Sequence, residues 1–166
     1  MTTQGDGVGR CRRATPRRLV AALAAMVPCA HVAPVAAADL AEMPPLQVVA
    51  DGAPVALSAS AGDAGRGRSL LVARESANCV LCHVVPDADM RFPGDVGPSL
   101  AGVGARFSVA QLRLRVADNL RVNPSSVMPS YYKVAGLDRV AAQYAGRPVL
   151  TGAEVEDVVA YLATLR

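Results

Sequence analysis

The chain contains no tryptophan, two phenylalanines, four cysteines and two histidines in 166 residues. It is 52% hydrophobic but only 4% aromatic, so its apolar material is mostly Ala, Val and Leu and its core is expected to be rich in small residues. The length suits one domain with an extra segment. No stretch alternates long enough to be a half-buried strand, which leaves an all-α reading with helices set around long loops. No apolar run reaches the ~20 uninterrupted residues that a spanning helix needs.

The basic excess is local. Arg10, Arg12, Arg13, Arg17 and Arg18 precede an apolar run from Leu19, broken by Pro28, His31 and Pro34 and ending in Ala36-Ala37-Ala38. This is the pattern of a cleaved export signal, with Asp39 as the first mature residue and the periplasm as destination. The formal charge of +3 belongs to it. Without residues 1–38, five of the 17 basic and one of the 14 acidic residues go, leaving 12 and 13 and a charge of −1. No nucleic-acid reading survives that balance, and no membrane span is expected after cleavage.

Cleavage also removes Cys11, Cys29 and His31. The remaining cysteines and histidine, Cys79, Cys82 and His83, all fall within NCVLCH, residues 78–83. A structural zinc site wants four ligands, and only three remain. A thioredoxin-like dithiol wants a βαβ setting, which is missing, and neither reading uses the histidine. Cys-x-x-Cys-His uses every residue as the attachment motif of one covalent haem c. Cys79 and Cys82 form the thioethers and His83 the proximal axial ligand.

Met43, Met90 and Met128 follow the cleavage site. Met43 sits in the arm and Met90 is too close to His83 to round the haem edge. Met128, in a loop before Pro129, is the expected distal ligand. A His/Met pair leaves no open iron position and describes electron transfer. The Pro98 carbonyl is the expected acceptor for the other ring N–H of His83, against an ordinary turn at Gly97-Pro98. Tyr131 and Tyr132 read equally as haem-edge or core aromatics.

The mature chain divides into an arm, 39–61, and a haem domain, 62–166. Asp63 is the expected cap of a short helix over 63–78, and Gly67 within it costs ~1 kcal/mol relative to Ala while permitting close helix approach. Residues 86–106 read as loop. Ser108 with Gln111, and Thr151 with Glu154, read as capping boxes. The stripes beyond them are Val109, Leu112, Val116, Leu120 and Val155, Val158, Val159, Leu162, Leu165. Glu154, Glu156 and Asp157 suit the positive end of the last helix dipole. A weak helical turn is expected within 137–145.

The haem motif, the Gly-Pro loop, Met128-Pro129 and the last helix with Tyr161 resemble a class I cytochrome c. The strings AGDAGRGRSLLVARESANCVLCHVVP, PGDVGPSLAGVGARFSVAQLRLRVADNLRVNPSSVMPSYY and GRPVLTGAEVEDVVAYLATL resemble, more narrowly, the SoxX family of small cytochrome subunits of the SoxAX sulfur-oxidation complex. That resemblance implies a heterodimer with a SoxA-like haem subunit, at which thiosulfate is conjugated to a cysteine of the SoxY-SoxZ carrier. It also implies a soluble cytochrome c as electron acceptor and no catalytic residue in this chain. Two other readings compete: a free-standing periplasmic shuttle, and a haem peroxidase or sensor without Met128 ligation. The chain's single lysine, Lys133, disfavours a lysine-ringed shuttle.

Overall fold

The structure, a computed structural model, describes residues 43–86, 92 and 94–166. The expected export signal (1–38), the first arm residues (39–42) and Met90 lie outside the described residues. The described residues form four α-helices: α1 (Ala64–Val72), α2 (Val103–Arg106), α3 (Val109–Asp118) and α4 (Gly152–Thr164). Short 3₁₀ turns occupy Cys79–Leu81, Asn119–Arg121 and Ala142–Tyr144. Among the described residues the only β-type pairing is an isolated bridge, Val49 with Gly52.

Three helices start where their caps are expected. Asp63 Oδ1 accepts the Arg66 N–H at 2.7 Å. Ser108 and Gln111 close one capping box and Thr151 and Glu154 another, each reciprocal, which satisfies amide donors the helix itself cannot.

Other boundaries differ from expectation. α1 stops at Val72, because Ala73 turns extended and its carbonyl accepts the Asn78 N–H at 3.0 Å. The Ser76 hydroxyl then donates to the Leu70 carbonyl at 3.1 Å, folding the chain back over the helix end. Within 86–106, read as loop, Gly102 takes a left-handed φ of 66° and opens the single turn of α2. In α3, Leu112 and Val116 are buried but Val109 is 49% exposed, and Leu120 lies beyond the helix end. Arg113, Leu114, Ala117 and Asp118 are buried as well. α3 is covered on more than one side, so a single stripe does not describe it.

α1 crosses α4 at backbone contact. A Cβ at Gly67 would lie 1.9 Å from the Asp157 carbonyl oxygen, so only glycine fits that crossing. Leu71 of α1 and Val155, Val158 and Val159 of α4 are each no more than 1% exposed. Truncating one such leucine to alanine costs about 2–5 kcal/mol.

A buried ion pair holds the arm, and a partly exposed one the entry to α1, against α4. Arg113 donates from Nε to Glu156 Oε1 at 2.6 Å and from Nη2 to Oε2 at 2.8 Å. Its third contact is the Ala53 carbonyl at 2.6 Å, and Glu156 Oε1 also accepts the Leu57 N–H at 2.9 Å. Asp157 accepts both Arg66 Nε and Nη2 at 2.8 Å and the Asp63 N–H at 2.7 Å. Of the three acidic residues expected at the positive end of the helix dipole, only Glu154 lies in the first turn of α4; Glu156 and Asp157 lie in the second and are buried tethers instead.

Candidate haem site

The attachment motif lies in the 3₁₀ turn Cys79–Leu81, entered through Asn78 in a left-handed conformation (φ 46°). The Cys82 and His83 N–H groups both donate to the Cys79 carbonyl, at 3.1 and 2.9 Å. This tight turn brings both thiols and the imidazole to one cavity. Cys79 and Cys82 are not joined to each other in a disulfide.

The loop at 94–100 is stitched along the motif by Gly94 N–H to Val80 O, Gly97 N–H to Cys82 O and Leu100 N–H to Val84 O, at 3.0, 2.7 and 2.9 Å. Two glycines permit this approach. A Cβ at Gly94 would stand 1.9 Å from the Leu81 carbonyl oxygen, and one at Gly97 would stand 2.4 Å from His83 Cε1. His83 Nδ1 lies 2.7 Å from the Pro98 carbonyl oxygen. A carbonyl only accepts, so Nδ1 carries the proton, and in the neutral ring Nε2 keeps the lone pair that a metal needs.

Cys79, Cys82, His83 and Met128 line one cavity of about 480 Å³ together with Pro98 and Tyr131. A smaller pocket of about 40 Å³ shares Cys79, His83, Met128 and Tyr131 and reaches Leu71 and Val158 of the core. The larger cavity is within the range that cofactors occupy. Its donors are thiols, an imidazole and a thioether, with apolar walls from Leu100, Val103, Leu112 and Val116, which fits a covalently attached haem with two axial ligands. A larger groove of about 990 Å³ between the arm and residues 144–153 contains no cysteine or histidine and offers none of that chemistry.

Burial pushes the Cys79 thiol up to about 11 and moves the Tyr131 hydroxyl upward as well. A thiol held protonated at neutral pH is a poor dithiol-exchange nucleophile. Among the described residues no group of three His, Cys, Asp or Glu side chains is arranged to hold a metal ion.

The two tyrosines have different places. Tyr131 lines the cavity and donates its hydroxyl to the Ala77 carbonyl at 2.9 Å, two residues before Cys79. Tyr132 is 5% exposed and donates to the Pro44 carbonyl at 2.9 Å, so it fastens the arm. Met43 is half-buried against the core and lines neither haem-side cavity.

Arg106 and Arg115 also line the large cavity, although no sequence motif marks either. The Arg115 guanidinium lies 4.0 Å from the centre of the Phe107 ring, a cation–π contact. Arg106 donates to the Ala101 and Ser99 carbonyls at 2.5 and 3.2 Å. Arg106 is held here by its bonds to the loop, and Arg115 by its place on α3.

The family model for cytochrome c matches residues 66–166. No curated protein sequence matches the chain. Among solved structures, the crystal structure of SoxXA from P. pantotrophus is similar, with 33% identity and a TM-score of 0.68 over 72% of this chain and 93% of that one. Covalently bound haem c and electron transfer follow from the family match. With its all-helical fold, its Cys-x-x-Cys-His turn and these two matches, the chain belongs to the cytochrome c family, as a class I cytochrome c of the SoxX type.

Proposed function

We propose that this chain is the electron-transfer subunit of a periplasmic thiosulfate-oxidising complex, paired with a SoxA-like haem subunit. The observation that carries the reading is the single cavity lined by Cys79, Cys82, His83 and Met128. The similarity to SoxXA supports the choice of partner.

Bound haem c supplies one-electron exchange at iron. Cys79 and Cys82 would hold one such group by thioethers. His83, its Nδ1–H donated to Pro98, would hold the iron through Nε2, and Met128 would hold it through its thioether. With both ligands supplied by protein atoms, neither substrate nor oxygen would have a binding place at iron, and no residue of the chain would be catalytic.

Joining a thiosulfate sulfur to a carrier-cysteine sulfur forms one S–S bond, breaks one S–H bond, and releases two electrons and the single thiol proton. The carrier is of the SoxY-SoxZ type. With one haem group in the chain, the two electrons would pass through it singly to a soluble cytochrome c. At the cavity mouth Val96 and Val127 are 67% and 82% exposed. An apolar rim suits contact with another protein. Residues 1–38 act as the export signal, with cleavage near Ala38/Asp39, ahead of the arm (39–61) and the haem domain (62–166).

The test is a pull-down of the tagged, haem-loaded chain from thiosulfate-grown source cells. A larger haem protein should co-purify, and thiosulfate should reduce this haem in the complex. A monomer that thiosulfate leaves oxidised, with SoxA-like and SoxY-like proteins present, would replace this reading with a free-standing electron shuttle.

A further inference from the structure

The loop that carries Met128 hangs from the C-terminal end of α3 by a symmetrical pair of side-chain bonds. Two residues before Met128, the Ser126 hydroxyl oxygen accepts both Asn119 Nδ2–H at 2.7 Å and the backbone N–H of Met128 itself at 3.1 Å. Two residues after it, the Ser130 hydroxyl donates to Asp118 Oδ1 at 2.6 Å. Asp118 and Ser130 are 5% and 6% exposed. The two anchor residues are adjacent in sequence, and the two serines stand at equal distance on either side of the methionine.

The residues around the pair reinforce it. The Tyr132 N–H donates to the Ala117 carbonyl at 3.1 Å, continuing the attachment to α3. Pro129 lies between Met128 and Ser130 and fixes its own φ, while restricting the backbone of Met128. Arg121 lies 3.5 Å from the other Asp118 oxygen, too far to compete strongly for the carboxylate. The Asp118 bond is buried and charge-assisted, which makes it the stronger of the two.

We infer that Asn119–Ser126 and Asp118–Ser130 are positioning pairs that together clasp Met128 into the haem cavity and set how rarely its sulfur leaves the iron. This inference rests on Met128 being the distal ligand. None of the four residues touches the iron; they act through the methionine. A thioether is a weak ligand on a flexible stem, so its residence depends on how little freedom its backbone has. An unclasped loop would let Met128 swing out and open the sixth position to small external ligands while the rest of the domain stays folded.

The experiment measures cyanide binding to the ferric, haem-loaded full chain, since cyanide enters only when Met128 has left. Wild type comes first: the weak far-red band of Met-ligated ferric haem should be present and cyanide binding slow. Ser126→Ala should raise the cyanide association rate about fivefold and Ser130→Ala at least tenfold, as expected for a neutral and a charge-assisted bond. Ser126→Thr and Ser130→Thr keep the hydroxyl and should return towards wild type. Thr151→Ala, which removes the cap of α4, lowers stability elsewhere and should leave the cyanide rate unchanged. Cyanide rates within twofold of wild type in both serine-to-alanine variants, or an equal rise in Thr151→Ala, would overturn the clasp while leaving Met128 as ligand. Absence of the far-red band in the wild type would overturn the ligand assignment and the clasp together.

Discussion

Replacing Gly97 with alanine puts a methyl group into space now taken by the His83 ring. The new Cβ would lie 2.4 Å from Cε1 and 2.6 Å from Nδ1. Ordinary carbon contacts need about 3.5 Å, so the ring or the loop must give way by about 1 Å. The loop is pinned by the Gly97 N–H to Cys82 O bond at 2.7 Å. The ring is pinned by the Pro98 carbonyl at 2.7 Å from Nδ1, and a retreat of that size breaks this bond. Its loss costs about 1 kcal/mol and the overpacking about 1–3 kcal/mol, so we expect a loss of about 2–4 kcal/mol in unfolding free energy of the haem-loaded protein. Gly136 provides the control: its φ is +64° with nothing within 4 Å of an added methyl group, so Gly136→Ala strains the backbone without a clash, by about 1–2 kcal/mol. Urea unfolding gives the energies, and the electron paramagnetic resonance of the ferric haem reports the imidazole orientation. Gly97→Ala should change both, Gly136→Ala only the first. A Gly97→Ala protein with wild-type stability and an unchanged resonance spectrum would refute the claim that this glycine holds open the place of the axial histidine.

Met128→Ala should abolish the far-red absorption band of the ferric protein; a variant that keeps the band has its distal ligand elsewhere. Arg113→Met leaves Glu156 buried without its guanidinium and should cost about 3–5 kcal/mol in urea unfolding, whereas the double change with Glu156→Leu should recover much of the loss. Arg66 holds the Asp157 carboxyl below its ordinary value of 3.8, chiefly through their side-chain hydrogen bond. The stability this contributes is fully present above that unfolded value and is lost as pH falls through the lower folded one, so Asp157→Asn should flatten the acid side of the stability profile below about pH 4. An unchanged acid limb would mean that the pair carries no pH-linked stability.

Much of this protein was legible along the chain because the relevant signals are local. Cys79, Cys82 and His83 are neighbours in sequence, and a single tight turn is enough to bring them to one cavity. The caps at Asp63, Ser108 and Thr151 act over three residues, and the structure has them where they were expected. The close crossing at Gly67 was legible in outline, since a glycine inside a helix suggests a backbone neighbour, but not that the neighbour is Asp157. What tertiary structure alone decided has sequence separations that no pattern encodes. Arg113 meets Glu156 across 43 residues and Leu57 meets it across 99, so an acidic residue that reads as a dipole partner is a buried tether one turn further in. Tyr131 and Tyr132 are adjacent and chemically identical, yet one lines the cavity and the other fastens the arm, because their hydroxyls meet different carbonyls. Arg106 and Arg115 line the cavity, and Ser126 and Ser130 meet Asn119 and Asp118, only because the chain folds back on itself there. The chain by itself thus determined the chemistry its residues can perform, through short-range spacing and residue type. Packing decided which backbone and charged groups support that chemistry, because hydrogen bonds and clashes depend on distances that are set only when distant segments meet.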